Sequence, residues 1–437
     1  MRIALITPLA PEKSGVATVV ELVLQKLNQQ SEMDVDIFTR DKHSVSDVYV
    51  KKNYRIYNYT DYQDERIRSQ YHLSVFHMGN NYDFHKEISD LFLEYGGIIE
   101  LHDIALYDFK YGQVAEKGNW EKFYEEMEQY HGIPKDVARN LQEKGYQLEP
   151  HKIDCLHFHF LKPYLDRAQC VIVHSDFARQ FIHGIDPNIP VEIIPLAVPI
   201  SAKEQAKKDV KRDDSIFKIG CFGYASAHKQ IKVVLNAVSE VLAAGKPIHL
   251  YIVGSCEKWI EQYVQEKGIS QFVTITGWIN IQAFREYLQE MDLVANLRYP
   301  TFGESSASLH EALAYGKAVV VSDVGSFSEY DTFQVKRIPV EPCRASMELA
   351  QIIQHDMNNL EELHRQEPFR IKLAEKRFGE EVIAKQYRDF LMNFYHTHAV
   401  THRWIDDFVD TICNMSLHTD WYANHVCNDV LFKNIEL

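Results

Sequence analysis

The sequence predicts an α/β protein built from two doubly wound domains, on three observations. Short apolar runs alternate with amphipathic segments along both halves of the chain. A charged stretch without apolar periodicity, Ala202 to Ser215, separates the halves and reads as a solvated linker. At 437 residues the chain is also too long for one ordinary core.

In the first half, "RIALITP", "VDIFTR", "YHLSVFHMG", "GGIIELHD" and "QCVIVHS" read as strands. "GVATVVELVLQKL", "FHKEISDLFLEY" and "DFARQFIHGI" have apolar residues at helical spacing between or after them. This alternation implies a parallel sheet with helices on both faces. Residues from about 107 to 165 break the rhythm. They are helical in composition and read as an insertion after the "ELHD" strand, either shaping a substrate pocket or packing on the surface. The first domain is therefore 1–200, with 201–215 as the linker.

The second half repeats the pattern. Its strands are "FKIGCFGY", "IHLYIVG", "FVTITGW", "LVANLRYP", "AVVVSDV" and "VKRIPV", separated by helices such as "IKVVLNAVSEVLAAG" and "AFREYLQEM". The second domain is 216–380. Residues 381–437 read as C-terminal helices, part of them crossing back to the first domain.

A formal net charge of −15 argues against broad electrostatic binding to nucleic acid. The seven cysteines are dispersed and form no C-x-x-C pair, which fits a reducing compartment. No apolar run approaches the length of a bilayer span. The opening "MRIALITPLAP" has a short apolar run and no small-residue cleavage site, so it reads as a first strand and not a signal peptide. A cytoplasmic protein is expected.

Several strand ends and helix starts have ligand-binding chemistry. Ser14 and Gly15 lie between a strand and a helix, where glycine allows an anion close to the backbone, though a plain turn glycine fits equally. The dinucleotide spacing G-x-G-x-x-G is absent. "GCFGYASAHKQIKVV" places Lys229 near another helix start. A lysine there opposes the helix dipole unless it serves an anion, and a solvated lysine is the alternative. The stretch "FGESSASLHEALAYGKAVVVSDVG" reads as turn, helix, glycine C-cap and buried strand. If its helix reaches back far enough, Glu304 and Glu311 share a face, where a carboxylate could accept hydrogen bonds from sugar hydroxyls. From spacing alone a solvated face fits at least as well. His102 and Asp103, in "ELHD", end a strand, where open α/β sheets bind ligands. A satisfied structural histidine is the alternative. His151, His157 and His159 lack a tight metal-ligand spacing and imply no metal.

Together these residues resemble the GT-B fold retaining glycosyltransferases, specifically the large glycosyltransferase family four and a bacterial polysaccharide-building subgroup of it. "NLRYPTFGESSASLHEALAYGKAVVVSDVGSFSE" bears most of the likeness, supported by "HMGNNYDFHKEI" and "GGIIELHD", and the resemblance covers roughly residues 1–395. It implies two Rossmann-like domains facing across a cleft, the first binding acceptor and the second a nucleotide sugar. It implies roles for His102 on the sugar's primary hydroxyl, Lys229 on the diphosphate, Glu304 on the sugar and Glu311 on the ribose. Gly15, Gly223, Arg298, Ser305, Ser306, Ala307, Ser308 and Leu309 complete the expected donor site, the amides from Ala307 to Leu309 lying under the β-phosphate.

Two positions depart from the pattern. The first glutamate of E-x7-E falls on Gly303, with Glu304 one residue late. The usual arginine before the lysine is missing, with Tyr224 in its place and Arg298 as a substitute.

The implied activity is retaining, metal-independent transfer of a hexose-type sugar from a UDP- or GDP-sugar. The acceptor is a glycan, lipid-linked or protein-linked. No cofactor and no nucleic acid are expected, and peripheral contact at the inner membrane face is. The alternative is a catalytically inactive GT-B subunit that binds acceptor or stabilises an active partner. A dinucleotide-dependent oxidoreductase would need the glycine fingerprint this chain lacks.

Overall fold

A computed structural model describes residues 1–27, 33–143, 155–199 and 215–397. The expected linker, apart from Ser215, lies outside these residues, as do part of the insertion, His151 and nearly all of the chain after Tyr395. Residues 1–386 form one compact unit, and a second begins at Tyr387. The described part of the second unit, 387–397, is helical.

The first unit has two parallel sheets. In the first lobe the strands are β1 (Arg2–Ile6), β2 (Asp34–Thr39), β3 (Arg55–Asn58), β4 (Leu73–Met78), β5 (Gly97–Leu101), β6 (Ala168–Val173) and β7 (Val191–Ile193). Their order is β3-β2-β1-β4-β5-β6-β7. In the second lobe they are β8 (Phe217–Phe222), β9 (Ile248–Val253), β10 (Val273–Ile275), β11 (Leu293–Asn296), β12 (Ala318–Ser322) and β13 (Lys336–Ile338), ordered β10-β9-β8-β11-β12-β13. In both, the chain starts near the middle, runs to one edge, then returns to build the other. Ligands bind such sheets at the carboxyl ends of strands where the order reverses.

The central strands are continuous apolar runs because helices cover both faces. β1, β5 and β12 are buried along almost their whole length. In the second lobe one core packs helix Ile231–Ala243 against helix Pro342–Asn358 on one face of the sheet. Another places Leu309, Leu313, Phe327 and Phe378 on the other face. Glu100 stands out, a carboxylate at 1% exposure one residue before the end of β5.

The insertion forms helices Tyr107–Lys117, Trp120–His131 and Lys135–Glu143. It has a small core of its own, including Tyr107, Phe123, Met127 and Phe160.

The lobes are tied by specific bonds. Ile104 and Ala105 N–H donate to the Phe302 carbonyl at 2.9 and 3.0 Å. The Glu329 carboxylate accepts from the amides of Asp176 and Phe177, at the start of helix Asp176–Ile185. A carboxylate there is favoured by the open amides and the helix dipole. Near the end of the unit, Val198 pairs with Gly379, and Lys26 meets Glu380 at 3.3 Å. Among the described residues no helix is long and apolar enough to cross a membrane.

Candidate active site

A cleft of about 420 Å³ lies between the lobes, at the carboxyl ends of β1, β4, β5 and β11. Of the residues expected from sequence, it brings together Gly15, His102, Arg298, Glu304, Ser305, Ser306, Ala307 and Ser308. Gly223, Lys229, Leu309 and Glu311 are not among its lining residues.

On the first-lobe side, Ser14 Oγ accepts from the Val16 amide at 3.2 Å and turns the chain into helix Gly15–Leu27. Nothing lies within 4 Å of a Cβ built on Gly15. The fold itself therefore has no steric need for glycine there. Gly79 differs: its Cβ would meet His85 Nε2 at 2.9 Å and Asp103 Oδ2 at 3.2 Å, so only glycine leaves room for both. Asp103 Oδ2 accepts from the Asn80 amide at 2.8 Å. Burial, with repulsion from Glu304, pushes its carboxyl up to about 7.

On the second-lobe side, helix Ala307–Ala314 opens at Ser306, whose Oγ accepts from the Leu309 amide at 3.3 Å and from Asn296 Nδ2 at 3.0 Å. Serine capping thus takes one amide expected to face phosphate and leaves those of Ala307 and Ser308 at the cleft wall. The Leu309 side chain is fully buried in the core.

Glu304 precedes the helix, so it shares no helical face with Glu311. Its Oε2 accepts from the Phe302 amide at 2.7 Å and from Thr301 Oγ1 at 3.0 Å. Its Oε1 faces His228 Nε2 and Arg298 Nε, each at 3.6 Å. Burial alone would raise its pKa, but His228 and Arg298 hold it below the usual value. Glu311 Oε1 accepts from Arg285 Nε at 2.9 Å.

Lys229 lies in a single turn, Ala227–Lys229, that ends at Gln230 in the left-handed region. Its Nζ donates to the Phe222 carbonyl at 2.8 Å. A Cβ on Gly223 would stand 2.8 Å from that Nζ, and Gly223 has φ +85°, so glycine is what admits the ammonium. Burial, then neighbouring Arg298, push the Lys229 ammonium well below its usual value. Arg298 is itself buried, its Nη1 donating to the Leu297 carbonyl at 2.8 Å. Lys229 and Arg298, both desolvated, therefore stand near the Glu304 carboxylate, and of the three Arg298 and Glu304 line the cleft.

His102 has both ring nitrogens engaged. Its Nε2 is 3.2 Å from His77 Nδ1 and its Nδ1 is 3.0 Å from His174 Nε2. The role of bonding a sugar hydroxyl, expected from sequence, would need one of these contacts to yield. Sequence reasoning gave no role to His228, Asn80 or His85, although "AHK" and "HMGNNYDFH" contain them. They become visible only when the fold brings the segment after β4 in the first lobe to the same region as the segments after β8 and β11 in the second.

The chain is similar to known proteins in two ways. Residues 216–359 match the family described as glycosyl transferases group 1. In structure it is similar to Alr3699/HepE of Anabaena, solved in complex with UDP. That likeness has 14% identity and a TM-score of 0.61, covering 90% of this chain and 100% of that one. Sucrose-phosphate synthase of Thermosynechococcus elongatus aligns at 16% identity and a TM-score of 0.63, over 91% of this chain and 100% of that one. WaaG, a glycosyltransferase involved in lipopolysaccharide biosynthesis, aligns at 12% identity and 0.52, over 89% and 95%. No curated protein matches the chain in sequence. The fold is GT-B: two Rossmann-like parallel-sheet lobes facing across a cleft.

Proposed function

We propose that the protein is a retaining glycosyltransferase that moves a hexose-type sugar from a nucleoside-diphosphate sugar to a glycan, lipid-linked or protein-linked acceptor. The observation that supports this most is a cleft lined by Arg298, Glu304, Ala307, Ser308 and, from the other lobe, Gly15, with Lys229 close to Arg298 and Glu304. Desolvated cations and oriented amides suit a diphosphate. The match of the second lobe to glycosyl transferases group 1 supports the same reading. So does the likeness to HepE, solved with UDP-glucose as well as UDP.

In this reading the diphosphate leaves with negative charge developing on its β-phosphate. Lys229, Arg298 and the two amides stabilise that charge by fixed electrostatics, without a divalent metal. Glu304 orients the sugar and Glu311 holds the ribose. Retention follows from attack on the face the leaving group departs from, since no carboxylate is assigned as a covalent nucleophile. The donor is a UDP- or GDP-sugar, and the protein acts in the cytoplasm with peripheral contact at the inner membrane face.

Absence of the usual arginine at Tyr224 favours a second reading, an inactive subunit that binds acceptor. Arg298 in the cleft counts against it, because a cation is still supplied. Incubation with a panel of nucleotide sugars, with release of nucleoside diphosphate as readout, separates the two. The active reading requires release with at least one UDP- or GDP-sugar.

A further inference from the structure

Lys229 and Arg298 carry like charges close enough to repel each other. A buried hydrogen-bonded bridge runs between the segments that carry them. Its members are Gln230, which follows Lys229 directly, and Ser322, the last residue of β12. Both are buried, as is Arg298.

Gln230 is unusual in two ways. Its backbone has φ +49° and ψ +35°, in the left-handed region that favours glycine. It also precedes helix Ile231–Ala243 as the N-cap without capping it through its side chain. Instead its Nε2 donates to the Val340 carbonyl at 2.9 Å, and its Oε1 accepts from Ser322 Oγ at 2.9 Å. Ser322 Oγ in turn accepts from the Arg298 amide at 3.0 Å.

The direction of every bond in this chain is fixed. The Val340 carbonyl can only accept, so the Gln230 NH₂ faces it and Oε1 faces Ser322. The one proton of the Ser322 hydroxyl goes to Oε1, which leaves a lone pair for the Arg298 N–H. As strands, β11 and β12 pair only as far as Asn296 and Val321. The Ser322 hydroxyl extends their contact to the segment that carries Arg298. Glycine would meet the turn at 230 more easily, so what this position gains from glutamine is the bridge. Backbone cost retained beside a ligand cleft points to a role in function.

We infer that Gln230 and Ser322 are positioning residues that hold Lys229 and Arg298 against their mutual repulsion, ready for one diphosphate. Contacts with the Phe222 and Leu297 carbonyls aim the two cationic heads. The bridge sets the separation of the two backbone segments behind them, so the site meets developing charge already arranged. The use of these cations in turnover rests on the glycosyltransferase reading, whereas the bridge itself does not.

Gln230→Gly tests the inference, because glycine keeps the left-handed backbone and removes only the bridge. The variant should fold with thermal stability close to that of wild type. Its kcat should fall about tenfold with KM nearly unchanged, because the lost arrangement acts on charge that develops in the transition state. Ser322→Ala should do the same. The double variant should lose no more than either single one, since both break one bridge. A folded Gln230→Gly with wild-type kcat would overturn the inference. So would a rise in KM alone, or losses that multiply in the double variant. If Gln230→Gly does not fold, Gln230→Asn replaces it, since asparagine tolerates the left-handed region but is one methylene shorter. Failure of both to fold would make the bridge purely structural and overturn the inference. If wild type turns over no nucleotide sugar, the functional reading falls, and calorimetric titration with inorganic pyrophosphate decides the bridge. Pyrophosphate carries the kind of charge that the leaving group develops. Binding about tenfold weaker in Gln230→Gly than in wild type would uphold the bridge. Equal binding, or none to wild type, would overturn it.

Discussion

A Cβ placed on Gly303 would lie 2.1 Å from Cγ1 of Ile104, and Gly303 has φ +70°. Ile104 belongs to the first lobe and Gly303 to the second, at the position where the family motif has its first glutamate. Space and backbone conformation both exclude a side chain there, so the carboxylate appears one residue later, as Glu304. Gly303→Ala should destabilise the protein by about 2 kcal/mol or more, from overpacking and a left-handed φ. Ile104→Ala in the same chain should restore part of that loss by removing the clash. Denaturant unfolding of the single and double variants measures it, and additive losses would mean that the two do not touch.

Gly15 makes the opposite prediction. Open space surrounds its missing Cβ. Gly15→Ala should leave folding stability within about 0.5 kcal/mol of wild type. If a ligand phosphate or sugar packs on Gly15, the same methyl should weaken UDP or GDP binding about tenfold or more. Calorimetric titration beside thermal unfolding gives both values.

Asp103 should make stability depend on pH. Its folded pKa is raised to about 7, chiefly by burial. The folded state therefore holds a proton that the unfolded chain releases near pH 4. Stability conferred by the neutral form is present in acid and lost as pH rises toward 7. Asp103→Asn keeps an acceptor for the Asn80 amide without the charge. It should be more stable than wild type by on the order of 2 kcal/mol at pH 8, with the difference shrinking toward pH 5. A difference that does not change with pH would remove Asp103 as the source.

The two glutamates should separate. Glu311→Gln loses charge at the residue proposed to hold the ribose, and hydrogen bonds to charged groups contribute about 1.5–3 kcal/mol. It should weaken binding of free nucleoside diphosphate. Glu304→Gln should leave that binding nearly intact and slow sugar transfer. Equal weakening by both would show that the division of roles is wrong. The structure sharpens the comparison, because Glu304 also balances His228 and Arg298, so stability of both variants must be measured alongside.

Most of the fold was legible because both sheets are parallel and covered on both faces, which writes their strands as apolar runs. β3 and β7 escaped because "RIYN" and "VEI" are short and lie in no apolar run, whereas the equally short edge strands β10 and β13 lie in "FVTITGW" and "VKRIPV". The start of helix Ala307–Ala314 was legible from its serines, but not that Gly303 and capping by Ser306 stop it short of Glu304. Glu100 was visible as a charge inside an apolar run. Nothing in the sequence said that His77 on β4, with His102 and His174 just after β5 and β6, would surround it, since those contacts span up to 74 positions.

The account depends most on a diphosphate lying against Lys229. Release of nucleoside diphosphate from a panel of UDP- and GDP-sugars, in excess EDTA, by wild type and by Lys229→Ala, tests that directly. The account predicts metal-free turnover of at least one donor by wild type. It predicts a loss on the order of 10²-fold or more in Lys229→Ala, with folding retained. No turnover of any donor, turnover that requires added Mn²⁺ or Mg²⁺, or an equally fast, folded Lys229→Ala would contradict it.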